Sequence, residues 1–142
     1  MDLSTVSGIL GETLAAGLPV LALQLAIIGA IHAVGIFLYK RVSPFDENAL
    51  IASGNVAAGI LLGGSMVALA IPLAATLANN RTAAGILIWG VVALLIQLSV
   101  FVLLLRRRST VDGITRGNVA TALSMVGTML AFALLNAGAM LG

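Results

Sequence analysis

Few side chains in the apolar segments of this chain could take part in chemistry, and most of them are amides. His32 is the single histidine, and imidazole is the side chain that changes charge near neutral pH. Gln97 and Asn136 lie deep within apolar segments, whereas Asn55 and Asn118 lie near the starts of two of them. An unpaired amide in hydrocarbon costs several kcal/mol, so each of these side chains must face protein or water.

Each of these residues has two interpretations. For Asn55 and Asn118 we favour a turn role, in which the amide satisfies backbone groups where a helix begins. The alternative is a symmetric pair of amides lining a polar vestibule. For His32 we favour a hydrogen bond to a neighbouring helix carbonyl over a proton relay or sensor, although intramembrane ionisable groups mark function by default. Gln97, predicted to be equivalent to His32, and Asn136 are candidates for the same pathway or for helix packing.

The chemistry that the chain lacks excludes most enzyme classes. Its five acidic residues all fall in loops or near the N-terminus, so the apolar segments hold no carboxylate for proton transfer or paired-acid catalysis. No set of serine, histidine and acid converges, and there is no cysteine nucleophile. A lone histidine makes no metal site, and no glycine-rich phosphate loop is present. We therefore predict a protein that is not an enzyme, with no catalytic residues, metal or cofactor.

Composition places the chain in a membrane. Of its 142 residues, 61% are hydrophobic and 8% are charged, against about 25% charged in soluble domains. No acidic or basic residue occurs in the segments 13–39, 48–80, 82–105 and 117–142. Each segment exceeds the ~20 residues with which a helix crosses the hydrocarbon layer, and none alternates in polarity as barrel strands do. The sequence therefore predicts an all-α integral membrane protein with four transmembrane helices in the lipid bilayer.

A four-residue phrase occurs twice and indicates an internal duplication. Gly54-Asn55-Val56-Ala57 returns as Gly117-Asn118-Val119-Ala120, 63 positions later, each time after a charged loop. Self-similarity at a fixed offset is the signature of repeated units. We predict two helical-hairpin repeats in parallel orientation, 15–78 with a loop at about 40–53 and 83–141 with a loop at about 106–116. A segment 1–14, either a brief interfacial helix or a frayed end, precedes them.

The loops predict the bounds of the helices. The first span is expected at 15–39, with Pro19 in its opening turn and Tyr39 at the level of the lipid headgroups. The second helix is expected to begin in the first loop and to continue through Gly54 to about residue 77. The third span is expected at 83–105 and the fourth helix at about 114–140.

The distribution of basic residues orients the helices. Six of the seven lie in the two long loops, and only Arg81 lies on the other side. Because loops rich in Lys and Arg stay in the cytoplasm, we predict cytoplasmic loops and extracytoplasmic termini in a bacterial inner membrane. These charges lie at helix ends, which indicates topology rather than a nucleic-acid surface, so no nucleic-acid partner is expected.

Small residues predict that the second and fourth helices pack together. Gly59, Gly63, Gly64 and Gly127 permit the close approach that drives helix association in lipid. We favour a contact at a pseudo-twofold axis between the hairpins, and we expect such faces to hold copies of the chain together as a homo-oligomer. The small-residue stripes comprise Ala57, Gly64, Ala68 and Ala75 in the second helix and Ala120, Ser124, Gly127, Ala131 and Gly138 in the fourth.

A set of short motifs spans almost the whole chain. They are Ser43-Pro44-Phe45-Asp46-Glu47, Ile51 with Gly54-Asn55-Val56-Ala57-Ala58, Trp89-Gly90 with Gln97-Leu98, Ile114 with Gly117-Asn118-Val119-Ala120, and Leu135-Asn136-Ala137. Together they resemble the YjfL-like bacterial inner-membrane proteins, a family with a domain of unknown function, over about residues 18–141. The resemblance implies a four-helix protein made of two repeats, with partners of the envelope-stress and phage-shock kind, and implies little about activity.

The predicted function is that of a self-associating membrane module that docks a cytoplasmic protein partner in the envelope stress response. The cluster Arg106, Arg107 and Arg108 is the predicted contact with that partner or with lipid headgroups. The alternative is an oligomeric ion channel or small-solute transporter with a pathway between repeats or protomers. Four helices are too few for a roomy pore within one chain, so this alternative requires an oligomer.

Overall fold

A computed structural model of the chain describes residues 2–142, without the side chains of residues 3–5. Within that range the chain forms helices and short connections, with no strand. Four helices are long and apolar enough to cross a membrane, so the predicted all-α fold with four membrane-spanning helices is confirmed. In chain order the helices are α1 (Leu3–Val42), α2 (Glu47–Ala52), α3 (Val56–Asn79), α4 (Ala83–Leu105), α5 (Arg108–Thr115) and α6 (Val119–Leu141).

Helix α1 is longer than the span predicted from the sequence. It comprises 40 residues, which corresponds to about 60 Å at the helical rise per residue. Residues 3–14 belong to this helix, and Pro19 lies inside it rather than in an opening turn. Proline removes one backbone hydrogen bond but its ring holds a helical φ, and the surrounding alanines and leucines are strong helix formers.

The second and fourth helices predicted from the sequence are each divided in the structure. A short helix, α2 or α5, precedes the long helix α3 or α6, with a break at residues 53–55 and 116–118. The prediction that a helix continues through Gly54 is wrong because Gly54 has a φ of 88° and Gly117 a φ of 77°. This left-handed conformation ends a helix and is easily adopted only by glycine.

Helices α1 and α4 lie side by side and run in the same direction. The ring of Tyr39 meets that of Phe101 edge to face, with centroids 5.3 Å apart. Closer to the N-terminus of both helices, Gly90 of α4 lies against Ile31 of α1. The short helices α2 and α5 lie at the same end of the bundle, which we call the basic end and define as segments 40–55 and 106–118.

Helices α3 and α6 also pack in parallel. Gly64 of α3 faces Val126 of α6, and at the opposite end of the bundle the Asn79 amide donates to the Met140 carbonyl at 2.7 Å. The predicted contact between these helices is therefore present. With an offset of 63 residues, Gly127 is the equivalent of Gly64, and Gly63 is the equivalent of Val126. A twofold axis would therefore also bring Gly127 against Gly63, but the space around both glycines is open. The expected pseudo-twofold geometry of this contact is therefore wrong.

Helix α3 is the centre of the bundle. It packs against α1, α4 and α6, and half of its most apolar stretch is buried, compared with 11% for α1. Helix α3 therefore contacts both long helices of the second hairpin, α4 and α6, whereas α1 contacts mainly α4 of that hairpin. The largest fully buried side chains are Tyr39, Phe101, Leu61, Leu69, Ile86, Ile114, Met129, Gln97 and Thr76.

The contact between Gly64 and Val126 yields a test by substitution. A Cβ at residue 64 would lie 3.0 Å from the Val126 Cβ, and a valine cannot easily turn its branched side chain away. We expect Gly64→Ala to lower the free energy of unfolding by about 1–3 kcal/mol. In detergent micelles, circular dichroism during denaturation would measure this change.

The neighbouring glycine provides the control. Nothing lies within 4 Å of a Cβ at Gly63, so Gly63→Ala should be neutral or stabilising by up to about 1 kcal/mol, the gain in helix propensity. Equal stability of the two variants would contradict the close contact of α3 with α6.

Candidate functional site at the basic end

The first copy of the repeated phrase forms a helix end followed by a helix start. The Gly54 N–H donates to the Ile51 carbonyl and the Asn55 N–H to the Leu50 carbonyl, both at 2.9 Å. This pair of bonds is a Schellman motif, which satisfies carbonyls at the end of α2. Asn55 then caps α3, because its side-chain oxygen accepts the Ala58 N–H at 3.0 Å. Glycine and asparagine are thus adjacent because one ends a helix and the other begins the next.

The second copy has the same local structure. The Gly117 N–H donates to the Ile114 carbonyl and the Asn118 N–H to the Gly113 carbonyl, again both at 2.9 Å. Asn118 caps α6 by accepting the Thr121 N–H at 3.1 Å. The favoured turn role of both asparagines therefore agrees with their geometry, while the duplication of the whole hairpin stays a prediction.

The two asparagines differ in what their amide groups contact. Asn55 is half-buried, and its Nδ2 donates across the bundle to the Ile114 carbonyl at 2.8 Å and the Thr115 carbonyl at 3.3 Å. It therefore joins the start of α3 to the end of α5. Asn118 is exposed, and within residues 2–142 its side chain bonds only to its own helix. The structure thus gives no symmetric pair of amides lining one vestibule.

Gln97 and Asn136 join α4 to α6 by a reciprocal pair of bonds. Gln97 Nε2 donates to the Met129 carbonyl at 3.1 Å, and Asn136 Nδ2 donates to the Ala93 carbonyl at 3.0 Å. Both amides are buried, and their oxygens have no hydrogen-bond partner. Each helix thus offers one amide to the backbone of the other, the arrangement expected of polar side chains that hold membrane helices together.

His32 lies apart from these amides on the half-buried side of α1. Its Nδ1 is buried and has no hydrogen-bond partner, so the carbonyl bond expected of it is not present at this nitrogen. Gln97, its predicted equivalent, is fully buried and bonded. The polar residues predicted for a pathway therefore occupy four separate places: α1, the α4–α6 contact, the turn between α2 and α3 and the turn between α5 and α6.

The four glycines predicted to pack helices have different surroundings. A Cβ at Gly59 would be 4.0 Å from Ile51, an ordinary contact, and around Gly63 and Gly127 there is open space. Of these four glycines, only Gly64 lies at a close contact between helices. Gly127 is its predicted equivalent, so the corresponding place on α6 is uncovered within the chain.

A buried polar cluster that the sequence analysis did not predict lies near the basic end. Glu47, Tyr39 and Ser65 are all buried, and the Tyr39 hydroxyl lies close to the side chains of Glu47 and Ser65. Neither that hydroxyl nor Glu47 Oε1 has a hydrogen-bond partner. The sequence predicts that Tyr39 lies at headgroup level, whereas in the structure its side chain is buried between helices and contacts Phe101. The one sequence signal was Asp46, which caps α2 through Ala49 and so makes Glu47 its first residue.

Among the clefts at the basic end, two are lined by residues of the arginine cluster. The first, which we call the hydroxyl cleft, has a volume of about 430 Å³, and its lining includes Arg107 and the hydroxyl side chains Ser109, Thr110, Thr121, Ser124 and Thr128. The second, the arginine cleft, has a volume of about 740 Å³, and its lining includes Val42, Pro44, Arg106, Arg108, Val111 and Asp112.

The predicted basic cluster faces outward. Arg106, Arg107 and Arg108 are all exposed, and two of them border the arginine cleft. In the part of the chain that the structure describes, none of the three arginines forms an ion pair with an acidic side chain. Within the same residues, no three His, Cys, Asp or Glu side chains are grouped to hold a metal ion. The cluster therefore offers positive charge to a molecule outside the bundle.

Comparison with known proteins confirms the resemblance seen in the motifs. The model of the family described as Domain of Unknown Function (DUF350) matches residues 13–140. Two relatives, each named UPF0719 inner membrane protein YjfL, come from Escherichia coli strain K12 and Escherichia coli O157:H7. Each is 31% identical over 106 residues, which cover 74% of this chain and 80% of the relative. No solved structure matches the chain.

The different contacts of the two asparagines can be tested with one substitution. Aspartate keeps the oxygen that caps a helix but loses the donor. Asn55→Asp should therefore lose the bonds to the α5 carbonyls and lower the free energy of unfolding by about 1–3 kcal/mol. Asn118→Asp keeps every bond seen for Asn118 and should change it by less than about 0.5 kcal/mol. Chemical denaturation of monomeric protein in detergent measures both, and equal losses would refute the crossing bond.

The buried cluster makes a separate prediction about Tyr39. Its hydroxyl lacks a hydrogen-bond partner while its ring contacts Phe101, so packing rather than hydrogen bonding should account for its contribution. Tyr39→Phe should leave the thermal stability unchanged or raise it. Tyr39→Ala should lower the free energy of unfolding by about 3–5 kcal/mol, as for other buried rings. A large loss with phenylalanine would show that the hydroxyl has a partner.

Proposed function

Because this chain belongs to the DUF350 family of membrane proteins, whose function is unknown, we propose its role from its geometry: a self-associating, non-enzymatic module of the bacterial inner membrane. In this proposal both basic loops lie in the cytoplasm, both termini lie outside, and the basic end docks a protein partner. The observation that carries it is the contrast between a filled interior and an exposed arginine cluster at one end, which has no ion-pair partner among the described residues.

The filled interior argues for a module rather than a pathway within one chain. Leu69, Met129 and Gln97 occupy the middle of the bundle and are at most 1% exposed. The amides at this depth donate to helix carbonyls and so connect helices instead of facing a passage. Any channel or transporter activity would therefore require a route between protomers.

The basic end has the features of a docking surface. The arginine cleft combines two guanidinium groups with apolar side chains such as Val42 and Val111. Arginine is enriched at protein interfaces and binds carboxylates in a bidentate manner. A segment that carries both acidic and apolar residues fits this lining. The family resemblance implies that such a partner belongs to the envelope stress response.

The test combines cross-linking in intact membranes with charge removal. A variant with Arg106, Arg107 and Arg108 all changed to Gln should capture its cytoplasmic partner at least about tenfold less than the wild type, since each lost contact to a charged group contributes about 1.5–3 kcal/mol. Mass spectrometry of the captured proteins measures this difference.

Two controls make the result decisive. Arg81→Gln removes a basic residue at the opposite end of the bundle and should capture the partner as the wild type does. The oligomeric state of the triple variant should also be unchanged. Capture of the same proteins by all three forms would refute docking at the arginines. Flux of K⁺, Na⁺, H⁺ or Cl⁻ through purified protein in liposomes would instead establish the channel or transporter alternative.

A further inference from the structure

The hydroxyl cleft occupies a place that is covered in the other half of the chain. Its lining includes residues 120, 121, 124 and 128 of α6. The positions 63 residues earlier are Ala57, Ala58, Leu61 and Ser65 of α3, and all four are fully buried. Ser65 and Thr128 even make the same local bond, each hydroxyl donating to the carbonyl four residues before it, at 2.8 and 2.9 Å. The same helix face is thus closed in α3 and open in α6.

The difference extends along the whole helix. In α3 the small-residue stripe is buried or half-buried, and Gly64 meets Val126 of α6. In α6 every member of the corresponding stripe is exposed, and nothing lies within 4 Å of a Cβ at Gly127 or Gly138. We call this stripe the outer face of α6; it comprises Ala120, Ser124, Gly127, Ala131 and Gly138.

The surface that covers α3 also has an uncovered counterpart. Helix α6 lies on α3 with Val126 and Met129. The positions 63 residues earlier are Gly63 and Met66, of which the first is exposed and the second half-buried. We call this surface the outer face of α3; it comprises Gly59, Gly63, Met66 and Ala70. One chain therefore has one occupied contact and, on its two flanks, the two surfaces that would form the same contact again.

We propose that a second copy of this chain covers the outer face of α6 with the outer face of its α3, repeating between chains the contact that α3 and α6 make within one chain. Gly127 then lies against Gly63 of the second copy. The exposed Asn118 amide donates to the carbonyls of Ile51 and Ala52 of that copy, as Asn55 donates to Ile114 and Thr115. This proposal rests on the self-association proposed above and identifies its surface.

The contact also determines the type of assembly. It joins two different faces, so it is heterologous, and successive copies close into a ring when the rotation between them permits. Glycine at both 63 and 127 allows the backbones to approach at least as closely as Gly64 and Val126 do, and close backbone approach drives helix association in lipid. If the outer face of α6 instead packed against the same face of a second copy, neither Gly63 nor the turn at Ile51 would take part in the contact.

The absence of cysteine from the chain makes disulfide cross-linking a direct test. One tagged copy carries Gly127→Cys and a differently tagged copy carries Gly63→Cys, and both are oxidised in native membranes. We expect a disulfide between the two chains. As an internal standard, Gly64→Cys with Val126→Cys in one copy should form an intrachain disulfide, because the corresponding Cβ atoms lie 3.0 Å apart, near the range that a disulfide requires.

A control at the same depth excludes chance collision. Ser99 is exposed on α4 and, like Gly63, lies about two helical turns from the basic end. Gly127→Cys should not cross-link to Ser99→Cys. Cross-linking of Gly127→Cys only to itself would overturn the proposal in favour of a twofold contact. If no cross-link formed but the protein were still oligomeric, the proposed contact surface would be wrong, and lipid would cover the outer face of α6. The proposed self-association would not be affected by that result. A monomeric wild type would overturn both.

A second variant tests the surface without oxidation. Gly127→Leu places a large side chain in open space, so the folded monomer should keep its unfolding temperature. The Gly127→Leu substitution should raise the dissociation constant between copies at least about tenfold. Single-molecule subunit counting in liposomes at several protein-to-lipid ratios measures this constant. Gly29→Leu is the matched control because a Cβ at Gly29 of α1 also meets nothing within 4 Å. Equal weakening by both variants, or by neither, would overturn the proposal.

Discussion

A helix that ends near hydrocarbon must find partners for its last carbonyls and for the first amides of the next helix. In this protein two adjacent residues meet both requirements at each turn: a left-handed glycine closes one helix, and an asparagine caps the next. The turn occupies three residues, so α2 and α5 stay folded against the ends of the long helices. The buried position of Glu47, the crossing bond of Asn55 and the clefts at the basic end all depend on this compact connection.

The two halves are alike in their turns and unlike in their surroundings. Leu61 is buried beneath the second half, whereas the predicted equivalent, Ser124, borders an open cleft. Asn55 reaches the carbonyls of α5, and Asn118 reaches no group beyond its own helix in the described part of the chain. Local hydrogen bonding is thus set by the repeated residues, while packing is set by position in the bundle, since one half lies inside a contact and the other at its edge.

Much of the architecture could be predicted because membrane solvation is a strong local constraint. Charge-free segments of more than ~20 residues can only be spanning helices, and α4 begins and ends where the sequence predicts. The breaks at Gly54 and Gly117 were missed because the repeated phrase was interpreted as a mark of duplication inside a continuing helix, and its left-handed glycine was not recognised as a helix end. The repeated Gly-Asn pair nevertheless carried the signal for both turns.

The candidate site was less accessible from the sequence. The amides were identified, but their partners are carbonyls of other helices, such as Met129 and Ala93, and no spacing within one helix reveals them. The sequence places Glu47 in the first loop, where the second helix begins, and nothing in its spacing indicates that its side chain is buried. Its burial results from the tertiary position of α2. The asymmetry between Gly64 and Gly127 likewise follows from which side of each helix meets a neighbour.

The length of α1 has a consequence for the fit of the protein to a bilayer. Helices α3, α4 and α6 have 23 or 24 residues, or about 35 Å, which suits a hydrocarbon layer of about 30 Å with its interfaces. Helix α1, at about 60 Å, would need a tilt of about 60° to match, beyond the range of about 0–40° found for membrane helices. Its first turns, including Ile9 and Leu14, must therefore extend past the hydrocarbon. The hydrophobic mismatch of the protein is carried by this one helix, so a change in bilayer thickness alters how much of α1 is wet while the other three stay immersed.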